Sequence, residues 1–277
     1  MINSVKPNLI VSDSRGAWFR ATILFILALI GTVGMWSVVV FIPDIEKEFG
    51  LDRGTSSLLY AFTMIGFGFG TVIIGKFYDK FGIKKPILLA TFVLITSYYF
   101  YSIFPFYWQF LILQFFMGFA ASAFFGPAMA DISNFFNKQR GFALSIVASA
   151  NYVAGATWPL LIGYFLTFID WRVAHFWISI CLFIMIPLIL LLKNASVDES
   201  KSHDMKQRYK DIRLDLSNNQ IQVLLMLAGI CCCVAMAMPQ VHMVALCVDN
   251  GFGLQVGTEI LAVMLYSGMI SRIVFGM

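Results

Sequence analysis

Charged residues are missing from long stretches of this 277-residue chain and return in short bursts between them. A bilayer core needs about twenty apolar residues per helix, and blocks of that kind recur at roughly 20–42, 56–75, 86–104, 108–130, 141–168, 173–192, 220–248 and 257–277. The pattern predicts eight transmembrane helices. Most connections are about four to twelve residues long, so neighbours must run antiparallel in a compact bundle, with little room for a folded domain outside the membrane. One connection differs: KNASVDESKSHDMKQRYKDIRLDLSNN, at 193–219, mixes six basic with five acidic residues and has the make-up of a solvated linker. It divides the chain into a six-helix unit at 1–192, the linker at 193–219, and a second unit at 220–277.

Composition agrees with the pattern. Hydrophobic residues make up 60% and charged residues 12%, where soluble domains run near 45–50% and 25%, so a water-soluble fold is excluded. Cys181, Cys231, Cys232, Cys233 and Cys247 all fall inside predicted spans and read as small packing residues rather than disulfides or a thiolate metal cluster. The polar N-terminal stretch precedes a span longer than a signal peptide's apolar core, with no small-residue cleavage pattern, so the first helix is expected to remain as an anchor. Fifteen Lys and Arg fall on the side of the N-terminus; only Lys47, Arg53 and Arg172 fall on the other. Short cytoplasmic loops collect basic residues, which predicts a cytoplasmic N-terminus. The net charge of +4 is therefore a topology signal, not the soluble basic face that nucleic-acid binding would need.

A repeat links the two units. FGLDRGT at 49–55, after the first helix, matches FGLQVGT at 252–258, after the seventh, in five of seven positions, and TVIIGKF at 71–77 aligns with RIVFGM at 272–277. Many transporters are built from two such related halves. The second copy reaches Gly276 and Met277 where an Asp-Lys pair should follow, so the chain is expected to be C-terminally incomplete, short of four further helices.

The charge burst between helices 2 and 3 reads GKFYDKFGIKK at 75–85. Its Gly75, Asp79, Lys80, Gly82, Lys84 and Lys85 resemble the loop 2-3 signature of the major facilitator superfamily. Within that superfamily the chain resembles the oxalate/formate antiporter and monocarboxylate transporter branch, through Phe49-Gly50, Arg140-Gly141-Phe142-Ala143-Leu144, Pro159-Leu160, Asp170-Trp171-Arg172 and the run Ser271 to Gly276. Two departures count against a drug/proton antiporter. Gln114 stands where such carriers, and sugar porters, usually place an arginine four residues before Gly118, and Gly155-Ala156-Thr157-Trp158-Pro159 replaces their Gly-Pro motif.

The resemblance implies an all-α membrane protein of the major facilitator fold, with a complete N-terminal six-helix bundle and the first two helices of a C-terminal one. It implies a secondary active transporter, not an enzyme, that moves a small organic anion, a mono- or dicarboxylate, by alternating access. The implied partners are the bilayer, the small-molecule substrate and a coupling proton or counter-anion, with no cofactor, metal or nucleic acid. The implied setting is a multi-pass protein of the inner or plasma membrane, monomeric when full length. It also implies that Asp79 latches onto a helix N-terminus of the other half, a charge–dipole contact, and that Arg272 holds the substrate carboxylate, which suits a guanidinium's paired donors. Monocarboxylate carriers commonly have an Asp four residues earlier; here it is Gly268, which leaves an intramembrane ion-pair coupling without its acid. The other readings are a carrier of a different small metabolite and a truncated, non-transporting or receptor-like helical membrane protein.

Residue by residue, the sequence leaves choices open. Arg272, the one strongly basic residue placed inside the hydrocarbon, either faces a cavity or snorkels to the interface, and Gly268 leaves space for a ligand or for a packed neighbour. Asn151, Gly155, Pro159 and Gly163 form one stripe and Gln114, Gly118, Ser122, Gly126 and Ala130 another; each means close helix packing or a cavity lining. Gly31, Gly34, Gly66, Gly68 and Gly70 read as packing positions, and Trp36 and Trp158 as residues able to cover a substrate. His242 lies beside Pro239 and Gln240, where a discontinuous helix would expose backbone to a cavity, and is read as a substrate or proton contact or as a packing histidine. His175 and Glu259 are expected at the surface near the outer interface.

Overall fold

The computed structural model describes residues 12–192 and 217–276. Eight spans are present: α1 (Arg15–Phe49), α2 (Arg53–Phe81), α3 (Lys84–Ile103), α4 (Tyr107–Phe135), α5 (Arg140–Phe165), α6 (Trp171–Leu191), α7 (Asn219–Asp249) and α8 (Gly253–Gly276). All are long and apolar enough to cross a membrane. Residues 193–216, most of the expected linker, lie outside the described residues, as do the basic residues counted there.

Successive spans run antiparallel. One end of the molecule, the near face, carries Asp13 and the α2–α3 and α4–α5 turns; the far face carries the α1–α2, α3–α4, α5–α6 and α7–α8 turns. Caps set several of these ends. Asp52 accepts hydrogen bonds from the Gly54 and Thr55 amides at 2.9 and 3.2 Å and so starts α2, while Asp170 accepts from Arg172 N at 2.8 Å and starts α6. Gly50 at φ 62° ends α1, and Gly253, at the matching place of the repeat, has φ 84°. A side chain resists that left-handed backbone and glycine does not, so the repeat seen in the letters is also a repeat in backbone shape.

Three spans are interrupted. α1 breaks at Thr32, whose hydroxyl bonds back to Ala28 O at 2.7 Å. α4 tightens to a 3-10 turn at Ser122–Phe124 before Pro127, and α6 does the same at Leu182–Ile184 before Pro187. A proline ring clashes with the carbonyl four residues earlier and lacks its own N–H, which accounts for the breaks in α4 and α6, while no proline stands at the α1 break. The breaks in α1 and α4 meet: a Cβ on Gly31 would lie 2.5 Å from the Phe124 ring. α7, by contrast, is helical straight through Pro239, so the discontinuity expected beside His242 is absent.

The spans also run past their predicted ends on the near face. α2 continues to Phe81, so Asp79 and Lys80 sit on its last turn rather than in a loop, and α4 continues to Phe135.

Gly66 and Gly70 of α2 and Gly118 of α4 are packing positions where α2 meets α4, whereas Gly68, expected to pack, is exposed and faces open space. A Cβ on Gly66 would overlap the Phe115 carbonyl, and one on Gly118 the Thr63 carbonyl. Close backbone approach of this kind replaces the hydrophobic effect as the cohesive force between helices in lipid. α8 lies along α5 for most of its length, with Gly163 against Thr258 towards the far face and Gly141 against Gly276 at the near face.

Candidate functional site

The residues singled out from the sequence separate into four places. Near the middle of the bundle, Trp36 of α1 donates from Nε1 to Asn151 Oδ1 of α5 at 3.0 Å. Its indole lies over Gly155, where a Cβ would come within 2.6 Å of Trp36 Cε2. The small residue one turn along from Asn151 therefore exists to seat the indole. Trp36 itself is only 2% exposed.

One helical position further, Tyr152 faces α8. The Arg272 guanidinium lies over its ring at 4.5 Å from the centroid, within the range of a cation–π contact. Arg272 also donates to Ala148 O at 3.3 Å, and approaches the Tyr152 hydroxyl at 3.5 Å. Ala148 and Tyr152 are one turn apart on α5, so the guanidinium is drawn sideways onto α5 instead of being extended to the near face. No carboxylate pairs with Arg272 among the described residues. The space left by Gly268 is filled by the neighbour: a Cβ there would lie 2.7 Å from Tyr152 Cε1. Tyr152 was not among the residues read from the sequence; the signal that could have found it is Gly268, a gap one turn from an intramembrane arginine.

Gln114 belongs to a different network. It is fully buried, with Thr63 Oγ1 2.8 Å from its Oε1 and Tyr101 OH 3.5 Å from its Nε2, so both ends of its amide meet groups on α2 and α3. The cavity-lining alternative is replaced by a bond between packed helices. His242 is half-buried on α7 and makes no hydrogen bond among the described residues.

The charge signature forms the fourth place. Asp79 and Lys80 are exposed at the end of α2, Gly75 faces open space, and Gly82 (φ 73°) donates to Tyr78 O at 2.8 Å and closes the helix. Lys84 donates to Leu190 O at 3.3 Å, covering the last turn of α6, where a cation suits the helix dipole. The ammonium of Lys85 sits 4.7 Å from the Phe81 ring centroid. Asp79 has no hydrogen bond or ion pair among the described residues.

Two corrections concern buried polar groups. Arg20, one of the fifteen basic residues counted on the side of the N-terminus, lies inside α1 at 5% exposure, and its Nε and a terminal nitrogen meet the Asp131 carboxylate of α4 at 2.6 and 2.9 Å. Arg272 is thus not the sole arginine inside a span. His175 was expected at the surface, but it is wholly buried. It stacks on Tyr101 at 4.3 Å and 3° between ring planes, and lies 4.1 Å from Phe41. Its Nδ1 meets Trp171 O at 2.8 Å; a carbonyl only accepts, so Nδ1 carries the proton and Nε2 is left as an acceptor.

Among the described residues no group of three His, Cys, Asp or Glu could hold a metal ion. Comparison with known proteins gives the remaining facts. The profile described as "Major Facilitator Superfamily" matches residues 24–277. The chain is 28% identical over 150 residues to the MFS-type transporter pynF of Aspergillus niger, which covers 53% of this chain and 34% of that protein. It is 28% identical over 157 residues to the agnestins efflux protein AgnL12 of Paecilomyces divaricatus, covering 54% and 35%. With the inner membrane transport protein YnfM of Escherichia coli it shares 23% over 172 residues, covering 61% and 41%. The chain thus spans about a third of the length of the first two of these relatives.

Proposed function

This chain belongs to the Major Facilitator Superfamily as a multi-pass integral membrane protein, and from that premise we propose that it is a secondary transporter of a small organic anion. Its units are a six-helix bundle at 1–192, a connecting linker at 193–219 and the opening helices of a second bundle at 220–277. Transport proceeds by alternating access between the two, with the near face in the cytoplasm of a cell or inner membrane.

The single observation that supports an anion is Arg272. It is a half-buried cation in α8 with no acid beside it among the described residues, held in place by the Ala148 carbonyl and the Tyr152 ring. An intramembrane charge is costly and is by default a functional-site candidate, and a guanidinium with donors to spare matches a carboxylate's two oxygens. Asn151, within a turn of Ala148 and next to Tyr152 on α5, lies beside that arginine, with the buried Trp36 of α1 bonded to it; Asp79 on its exposed turn is available to a helix end of the other half. Counterflow in proteoliposomes with acetate, lactate, formate and oxalate tests the reading. Uptake of one of these that falls at least tenfold in Arg272→Ala supports it, and uptake indifferent to that change refutes the site.

A second reading is export of another small metabolite. It is favoured by the relative named as an agnestins efflux protein. Counterflow insensitive to every carboxylate, with Trp36→Ala more damaging than Arg272→Ala, would decide for it.

A further inference from the structure

The far face holds an ion cluster that the candidate site does not use. Arg53, at the start of α2, places Nε 2.7 Å from Glu46 Oε1 at the end of α1. Its terminal nitrogen lies 2.9 and 3.1 Å from the two carboxylate oxygens of Asp249 at the end of α7. One guanidinium therefore joins an acid of the six-helix bundle to an acid of the α7–α8 pair.

The repeat explains why two acids are there. FGLDRGT and FGLQVGT are offset by 203 positions (252 − 49), and the same step carries Glu46 onto Asp249 (249 − 46), Gly50 onto Gly253 and Arg53 onto Val256. The left-handed glycines at 50 and 253 keep this register in the backbone. The carboxylates are thus equivalent in the two halves, while the arginine has only an apolar counterpart. Two matching acids share a single cation, and without it their like charges would face each other across the junction.

The two pairs differ in exposure. Glu46 is 15% exposed and Asp249 57%, so solvent and salt screen the second contact far more than the first. Around them α7 is packed only towards this face, with Val241, Val244, Ala245 and Cys247 buried and residues 222–235 exposed. α7 meets the six-helix bundle at the far face and stands clear of it towards the near one, while α8 stays on α5 from one face to the other.

We infer that Arg53 is an asymmetric clasp: it stays with Glu46 and takes or releases Asp249 as the far ends of the two halves close or part. The Arg53–Asp249 pair then sets the share of molecules closed at the far face. This rests on the two-conformation part of the proposed function, and on no assumption about the substrate.

The test uses the full chain in nanodiscs, with its five cysteines replaced by alanine and spin labels on Lys47→Cys and Asn250→Cys, two exposed and repeat-equivalent positions. Asp249→Asn should lower the ratio of short to long label distances by about two- to fivefold, the weight of an exposed ion pair. Arg53→Val should lower it further, because it leaves two unneutralised acids. Adding Val256→Arg to Arg53→Val moves the cation to the equivalent place in the second half and should restore the short distances. Distance distributions that do not change in Asp249→Asn and Arg53→Val overturn the clasp, whatever the chain transports. Distances that respond uphold the clasp whether or not the chain carries any carboxylate in counterflow, so the two readings fail separately. Failure of Val256→Arg to restore the short distances overturns the shared-cation argument.

Discussion

The six-helix bundle and the α7–α8 pair are made of the same kind of helix, but they satisfy their side chains in opposite ways. In the most apolar stretch of α1, 78% of residues are buried, against none in that of α7. The bundle closes on itself through backbone contacts, such as Gly118 on Thr63, and through polar ties between helices, such as Arg20 with Asp131 and Gln114 with Thr63. The pair is held by one helix: α8 on α5, with α7 leaning in at the far face alone. Mean apolarity therefore says that a helix enters a membrane and nothing about what it touches there. The contacts are specified by small residues and rare polar ones.

The sharpest way to test this contrast is a matched pair of glycines. Gly118→Ala drives a methyl into the Thr63 backbone and should cost about 3 kcal/mol or more, read as a large drop in thermal stability in detergent. Gly229→Ala in α7 meets nothing within 4 Å and should be neutral or gain up to about 1 kcal/mol from helix propensity. Equal losses at both positions would erase the distinction.

Next in size is the buried ion pair. Asp131→Ala strands a buried guanidinium and should cost about 3–5 kcal/mol, whereas Arg20→Leu with Asp131→Leu should recover most of that loss, since an apolar pair of similar size is often no worse than a buried bridge. A double variant as unstable as the single one would mean that the charges hold the bundle by more than mutual neutralisation. A smaller effect is expected at the seam between the regions. Gly268→Ala only pushes the end of the flexible Tyr152 ring, so it should cost about 1 kcal/mol or less while moving the fluorescence of nearby tyrosine and tryptophan.

How much of this could be read from the letters depended on the type of residue. The eight spans, their antiparallel order and the repeat at 49 and 252 all follow from long runs, which sum many weak signals. The ends did not: the predicted fourth helix stopped at 130, one residue short of Asp131, so the acid that neutralises Arg20 was assigned to a loop and the arginine was counted among the basic residues on the side of the N-terminus. Trimming the second helix at 75 did the same to Asp79 and Lys80. His175 was misplaced because its position near a span end said nothing of Tyr101 and Phe41, which come from two other helices and cover it. Of the candidate site, Arg272 was visible as a charge in an apolar run, and its neighbour Tyr152 was not, because one more aromatic in a chain with 16% of them carries no signal alone.

The mildest test concerns Asp52 at the head of α2. Its hydrogen bonds from Thr55 hold its carboxyl below the ordinary aspartate range. A group with a lowered folded pKa stabilises above its unfolded pKa and loses that contribution as pH falls through the folded value. The first turn of α2 should therefore exchange its amide hydrogens faster only in strong acid, and Asp52→Ala should make that exchange fast at all pH values and remove the acid step.

Arg20 and Asp13 are satisfied late in the life of the chain. Asp131 follows Arg20 by 111 positions, and the Asn137, Lys138 and Gln139 amides that bind the Asp13 carboxylate follow it by 124 to 126. At about 5–20 residues per second of synthesis, the first helix waits on the order of ten seconds for the Asp131 carboxylate. During that interval the insertion machinery, or the lipid headgroups, must hold an arginine that the finished protein keeps dry. The contact between α1 and α4 through this pair can therefore form only after α4 has been synthesised.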